Sequence, residues 1–311
     1  MKKILVFITL ILAFVLVCFL PFKQQKAVNI KVQYFITLQQ LLQPENWKKW
    51  QPQVKQAWEK DSAQVKISKR NTFFTIQIPG SAITFTAHGF DFYVDKNSIW
   101  KNSSYRMIAI PVLKDGTAMV HIEQKKTLLN RLFEIFGQKP SNDIEQLKQY
   151  LENTRLYYGF DIRRTTVTDS NIVVEKKTVL LQNKALEIAQ TEQDLKAFIR
   201  QKDLKIVQPI VADIREAGKD SLRIMIGLPV NKQAISAGKI KFMHLPSHGR
   251  MLTGLYYGKY SGRQKLYLAM KTYITDHHLA SPEDPYEKYL DNIIPVSDTS
   301  FVHLQVNFPI Y

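Results

Sequence analysis

Hydrophobic and polar positions alternate most cleanly at the end of the chain. In FVHLQVNFPIY, residues 301–311, Val302, Leu304, Val306 and Phe308 form one row, and Phe301, His303, Gln305 and Asn307 form the other. Successive side chains of a strand point to opposite faces. The period of two therefore predicts a strand with one row in a core and a semi-polar row free to line a cleft. A weaker version runs through LRIMIGLPV, residues 222–230. There Leu222, Ile224, Ile226 and Leu228 are apolar, and Arg223, Met225 and Gly227 face the other way. Both stretches end in proline and an aliphatic residue, which predicts an internal duplication.

The same reading extends along the chain. Ile4 to Leu20 is apolar but for Thr9, with Lys2 and Lys3 before it and Lys23, Lys26 and Lys31 after it. Such a run is at the short end for a membrane-spanning helix. A cleaved signal peptide is the competing reading, but no A-x-A-like site follows. Cys18 follows Val17, where a lipoprotein needs a small residue. An uncleaved anchor over residues 1–27 is the favoured expectation. The flanking lysines suggest the N-terminus inside and the bulk of the chain outside, on the extracytoplasmic side.

Residues 28–153 read as a first domain. A strand, Val28–Ile36, and a helical run, Leu38–Leu42, lead to a loop, PENWKKWQP, at 44–52. Strands follow at Thr72–Ile78, Ala82–His88, Phe90–Val94, Tyr105–Val112 and Ala118–Glu123. Pro79-Gly80, Asp95-Lys96-Asn97 and Asp115-Gly116 mark the turns between them. Helical segments Leu128–Phe136 and Asp143–Asn153 close the domain, with Ser141 as a cap. Ile144, Leu147 and Leu151 give the last helix one buried stripe. Residues 154–170 read as a polar connector.

The second domain spans 171–311, in halves 171–230 and 239–311. Its first half has strands at Asn171–Glu175, Thr178–Leu181 and Ala185–Gln190, a helix at Glu192–Gln201, and the strand Leu222–Val230. The second half has strands at Lys239–Leu245 and Arg250–Tyr257, a helix from Ser261 to about Thr275, the segment Tyr286–Leu290, and the final strand. Leu266, Ala269, Met270, Tyr273 and Ile274 form that helix's inward face. The expected fold class is α+β.

The net charge of +16 divides as +2 over residues 1–22, +8 over 23–153 and +6 over 154–311. Nucleic-acid binders concentrate basic residues on one face, so this spread predicts no nucleic-acid partner. A solvated basic surface beside an anionic membrane fits it better. Cys18 is the single cysteine, which excludes an intrachain disulfide and a cysteine zinc cluster. The chain has no G-x-x-x-x-G-K-S/T, G-x-G-x-x-G, H-E-x-x-H or G-x-S-x-G. His277 and His278 are adjacent and do not share a helical face. No carboxylate or cysteine lies at ligand spacing from them, so neither metal nor cofactor is expected. His244, His248 and His303 read as polar surface histidines.

Two resemblances add to this reading. The frame Trp47-Lys-Lys-Trp50-Gln-Pro52, with the closing segment from Leu128 to Asn153, resembles the START/SRPBCC (polyketide cyclase-like) superfamily. That resemblance implies a curved sheet around a terminal helix, with an apolar cavity between them. Simple core anchoring is the alternative role for Trp47 and Trp50. The second domain resembles the GyrI-like small-molecule-binding domain, the effector-binding module of many bacterial regulators. The residues that carry this are Gly258-Lys-Tyr260, the helix to Thr275, the block Pro285-Tyr-Glu-Lys-Tyr-Leu290, and the ending Gln305-Val-Asn-Phe-Pro-Ile310. It implies two pseudo-symmetric halves with a ligand in a central cleft. Where the family places a glutamate in the last strand, this chain has Gln305. An amide neither neutralises a cation nor acts as a base. Glu287 is a nearby acid, with a solvated loop charge as its bland reading.

The second half is rich in tyrosine, which pairs a flat apolar face with a hydrogen-bonding tip. The expected cleft residues are Tyr257, Tyr260, Glu287, Tyr289, Gln305 and Asn307, with Met225 as the pseudo-symmetric partner of Gln305. The leading reading is a membrane-anchored, non-enzymatic protein that binds a small aromatic or amphipathic ligand. No catalytic residue is assigned. The rival reading is a hydrolase acting on a small electrophilic compound in the same cleft.

Overall fold

The computed structural model describes residues 20–98, 102–114, 116–127, 143–168, 170–246 and 248–311. Residues 1–19 of the expected anchor, Asp115, Ser141 and the segment Leu128–Phe136 lie outside these residues, whereas residues 21–27, also expected in the anchor, open the first strand of the sheet, Pro21–Gln33. Among the described residues no helix is long and apolar enough to cross a membrane. The fold is α+β with two antiparallel sheets. Two compact units, Met1–Asn153 and Thr154–Tyr311, each hold one sheet.

In the first unit β1 (Pro21–Gln33) runs into α1 (Tyr34–Leu42), α2 (Pro44–Trp50) and α3 (Pro52–Lys60). Strands β2 (Lys66–Lys69), β3 (Phe73–Ile78), β4 (Ser81–His88), β5 (Asp91–Ser98), β6 (Asn102–Pro111) and β7 (Thr117–Thr127) follow as a meander. β1 returns to pair with β7, giving the order β1-β7-β6-β5-β4-β3-β2. α4 (Asp143–Glu152) packs against β1 and α2 with Ile144, Leu147 and Leu151 buried.

The expected Trp-x-x-Trp loop is helical. Pro44 and Pro52 each open a helix, where a missing N–H costs nothing and the fixed φ suits the turn. Gln51 caps α3, its side chain accepting from Val54 N at 2.8 Å. Trp47 is 0% exposed and donates Nε1 to Leu41 O at 3.0 Å. Its ring meets Trp50 at 4.7 Å, Phe74 at 5.5 Å and Phe85 at 5.8 Å. The two tryptophans thus anchor the core.

In the second unit α5 (Thr154–Tyr158) and β8 (Ile162–Thr166) occupy the stretch expected as a connector. β8 is an edge strand with only Ile162 buried, so its exposed Arg and Thr side chains read as linker. β9 (Asn171–Leu180), α6 (Lys184–Gln201), β10 (Val211–Gly218) and β11 (Ser221–Pro229) follow. β9 is one strand where two were expected. The strand expected at Ala185–Gln190 is instead the start of α6. Ile188, Thr191, Leu195, Phe198 and Ile199 are buried at three- and four-residue spacing, and the apolar pairs Ala185-Leu186 and Ile188-Ala189 belong to that helical period and do not alternate as a strand would. Then come β12 (Ile240–His244), β13 (Arg250–Lys259), α7 (Gln264–Asp276), β14 (Tyr286–Tyr289) and β15 (Phe301–Pro309).

The sheet order β12-β9-β11-β10-β14-β15-β13-β8 is palindromic in its connectivity. Each repeat is a short strand, a long strand, a 3-10 turn, a helix and two further strands. The repeats meet where Ala212 pairs with Glu287. The short strands are exchanged: β8 pairs with β13 of the second repeat, and β12 with β9 of the first. Opposite Ile172 sits Pro229, and opposite Met251 sits Pro309, which fixes the equivalence of positions. Both helices cover one face. Gly254 allows α7 to lie close on β13, since a Cβ there would sit 2.7 Å from Leu266 Cδ1 and 2.9 Å from Met270 Sδ.

Candidate functional site

All four residues of β14 are buried, and they alternate. Glu287 pairs with Ala212 and Val306, both in the core under the helices, and so faces α6 and α7. Tyr289 shares that face, while Tyr286 joins the cluster on the other.

Glu287 is 2% exposed. Its Oε1 accepts from Arg263 Nε at 2.7 Å and Tyr267 OH at 3.1 Å. Its Oε2 accepts from Tyr260 OH at 3.3 Å and from Tyr289 OH. These donors match the acceptor capacity of a carboxylate, about four lone pairs. The Arg263 guanidinium lies over the Tyr260 ring, 3.5 Å from its centroid, and Nη1 donates to Tyr260 O at 3.1 Å. Lys184 Nζ approaches the same ring at 5.3 Å. Lys184 and Arg263 are equivalent in the two repeats, so each repeat sends one cation toward a single carboxylate at the pseudo-dyad.

Burial, and then the Glu287 charge, push the hydroxyls of Tyr260, Tyr267 and Tyr289 above the usual tyrosine value. They remain protonated donors. Burial works against the Arg263 charge, yet Tyr260 and Glu287 hold its pKa above the ordinary value. Burial lowers that of Lys184.

The other face of the sheet carries a cavity of about 450 Å3, bordered by β8, β13, β14 and β15. Gln305 and Asn307 line it, with Tyr286 and Lys288. Gln305 Nε2 donates to Asn307 Oδ1 at 2.6 Å.

No family model and no curated protein matches the sequence. Solved structures do. The chain is similar to EcmrR in its complex with DNA, at 14% identity and TM-score 0.40, over 60% of this chain and 77% of that one. It is similar to the EcmrR C-terminal domain at 15% and 0.38, over 49% of this chain and 98% of that one. It is similar to a hydrolase from Listeria innocua at 10% and 0.35, over 48% and 91%. Likenesses this distant bear on neither ligand nor reaction.

The structure divides the expected cleft residues between two faces. Tyr260, Glu287 and Tyr289 gather under the helices. Gln305 and Asn307 sit on the opposite face, because the register sets Glu287 beside Val306 and Lys288 beside Gln305. Met225, equivalent to Gln305, is on that second face and packs against the apolar cluster that includes Ile172, Val211, Met251 and Tyr286. Tyr257 is 78% exposed, near Phe301 and His303. Its neighbour Tyr256 turns to the helix side and donates to Lys259 O at 2.6 Å. Glu287 is a buried strand residue, not a solvated loop charge. A buried acid is thus present on β14, on the face opposite Gln305. Sequence reasoning missed Arg263, Tyr267 and Lys184. The four-residue spacing of Arg263 and Tyr267, which puts both on one helical face, was the available signal.

Among the described residues no metal-holding group of His, Cys, Asp and Glu occurs. His277 instead stacks on Tyr273 at 4.1 Å between ring centroids. Burial, aided by the Arg164 and His278 charges, lowers its pKa to about 4 from 6.5. The unfolded chain takes up this proton as pH falls below 6.5, and the folded chain does so only near 4. Stability is thus present above 6.5 and lost between 6.5 and 4. After screening by solvent the loss is about 1–2 kcal/mol. Asp276 opposes it, since burial raises that carboxyl. Melting temperatures at pH 7 and 4.5 should therefore be compared between wild type and His277→Gln. The variant's drop is expected to be smaller, and an equal drop would refute the assignment.

Proposed function

We propose that the C-terminal unit is a GyrI-like small-molecule-binding module. Its ligand, aromatic or amphipathic and cationic, is held by Glu287 and the surrounding tyrosines. The observation that carries this is the buried carboxylate ringed by Tyr260, Tyr267 and Tyr289, with the Arg263 guanidinium stacked in place over Tyr260. A planar cation on an aromatic face beside a carboxylate is the arrangement such a ligand would adopt. Arg263 occupies that place in the free protein, and the ligand displaces it. The engagement of both Glu287 oxygens favours binding over hydrolysis, because a general base needs a free lone pair.

The strand order β1-β7-β6-β5-β4-β3-β2 and the helix α4 support a START-like reading of the first unit. The run Ile4–Leu20 supports membrane anchoring, testable by detergent extraction of cell membranes.

Calorimetric titration with tetraphenylphosphonium and the neutral triphenylphosphine oxide tests the site. The cation should bind and the oxide should not. Arg263→Ala should tighten cation binding about tenfold by vacating its place, roughly the 1–2 kcal/mol of a buried cation–π contact. Glu287→Gln should abolish it. Cation binding that ignores both substitutions would sink the proposal.

A further inference from the structure

The two repeats differ at the outer end of the sheet face away from the helices. β13 pairs with β8 from Arg250 to Gly254 and then runs on alone to Lys259. Past Gly254 no strand among the described residues pairs with it on that side, while β15 holds its other edge as far as Lys259. The run Leu255–Lys259 is therefore an open edge. On it Leu255 is 46% exposed and Tyr257 78%, and Phe301, opposite Lys259 in β15, is 69% exposed. The Tyr257 ring lies 6.3 Å from that of Phe301 and 6.0 Å from that of His303. Leu255 borders the cavity with Gln305, which puts this row on the face away from the helices.

The duplication shows that the fold does not ask for such a surface. Position by position, Leu255 corresponds to Lys176, Tyr257 to Thr178, Phe301 to Ser221 and His303 to Arg223. The first repeat has the same open edge, because β12 leaves β9 at Glu175, but covers it with hydrophilic side chains. Only the last position reverses the order, with Leu180 in the place of Lys259. An open strand edge beside large exposed apolar side chains is a template for another strand, and charged side chains are the usual protection. The first repeat has that protection and the second lacks it.

Symmetry and charge select the occupant. The open run is centred on Tyr257, so two copies of it pair antiparallel about a two-fold axis, Tyr257 against Tyr257 and Leu255 against Lys259. The lysine stem then covers the leucine, and the two ammonium groups stay about 14 Å apart, four residues at strand rise. Lys259 is exposed and makes no ion pair among the described residues. Its carbonyl accepts from Tyr256 OH at 2.6 Å and keeps a second lone pair for a ladder. Asp161 stands just before the Ile162–Gly254 pair that begins β8, and it borders the cavity with Leu255. Arg163 donates once to each of its oxygens, at 3.0 and 2.7 Å, which leaves each a lone pair. The Lys259 of a second copy, arriving opposite Leu255, meets that carboxylate, and symmetry makes the contact twice.

We propose that the C-terminal unit pairs with a second copy of itself through the β13 edge, joining two eight-stranded sheets with Tyr257 on the two-fold axis. The interface is independent of any ligand at Glu287.

The test uses the full chain. Cys18 is the single cysteine, so Cys18→Ser gives a background without thiols. Directly opposed residues of antiparallel strands stand at disulfide distance. In that background Tyr257→Cys should give a covalent dimer when expressing cells are treated with copper phenanthroline, and Thr178→Cys, its equivalent in the first repeat, should not. No dimer from Tyr257→Cys, or equal dimer from both, would overturn the proposal. So would a covalent adduct of Tyr257→Cys with a different protein, which assigns the edge to a foreign strand. Sedimentation equilibrium in a density-matched detergent gives a reading that needs no cysteine. The wild type should show the mass of two copies, falling to one on dilution. Leu255→Lys/Tyr257→Thr/Phe301→Ser gives the second repeat the first repeat's surface. It should pair at least about tenfold more weakly and melt at or above the wild-type temperature. A wild type with the mass of one copy throughout, or a triple variant that pairs as well as wild type, would overturn the proposal. Unfolding of the triple variant would overturn its premise that the fold does not need the aromatic surface.

Discussion

Glu287→Ala should destabilise the C-terminal unit by about 3–5 kcal/mol, the cost of removing one partner from a buried ion pair. The reason lies in what is left behind. Arg263, with a side chain only 12% exposed, would keep its charge without its carboxylate, and three tyrosine hydroxyls would lose their acceptor. The Coulombic gain of such a pair is largely offset by desolvation of both ions. The double variant Glu287→Met/Arg263→Met should therefore recover most of the loss, as an apolar filling of the same space. Amide hydrogen exchange of peptides from residues 154–311 during denaturation reports this unit. A single-variant cost below about 1 kcal/mol, or a double variant as unstable as the single, would contradict the description of Glu287 as the hub of the cluster.

Trp47→Ala should cost the first unit about 3–5 kcal/mol, the usual range for deleting a buried aromatic. The indole fills the space bounded by Trp50, Phe74 and Phe85, and its N–H satisfies the Leu41 carbonyl, which is itself buried. Alanine leaves a cavity and an orphan acceptor together. Trp47→Phe keeps most of the volume and loses the hydrogen bond, so about 1–2 kcal/mol is expected. All four tryptophans, Trp47, Trp50, Trp58 and Trp100, belong to the first unit, so emission during denaturation follows that unit alone. A Trp47→Ala variant with the wild-type midpoint would place the indole outside the core.

The sheets were legible because alternation is a local property. β3 to β7, β11, β13 and β15 lie within a few residues of where the apolar rows put them. β8 was hidden because an edge strand buries almost nothing, and the start of α6 because a six-residue stretch is too short to show the helical period by itself. The division of the candidate site had a different cause. Which row of β14 shares a face with which row of β15 depends on register, and a shift of one residue exchanges the two faces. The row Gln305–Asn307 was correctly separated from Val306. Nothing local to residues 286–289 told that Glu287 pairs with Val306 rather than with Gln305. The stacking of Arg263 on Tyr260 is likewise a product of the 3-10 turn at Tyr260–Arg263, not of any periodicity.

The exchange of β8 and β12 between the repeats has a consequence for synthesis on the ribosome. When the first repeat emerges, the outer edge of β9 stays bare until residues 240–244 arrive, and β8 has no strand to join until β13 is made. Neither half can finish its own sheet. A nascent chain halted between the repeats carries two unpaired backbone edges, the condition in which strands join those of neighbouring molecules. The interlock that secures the finished unit thus delays its completion until nearly the whole chain has left the tunnel, and it makes truncated products the ones most prone to clump.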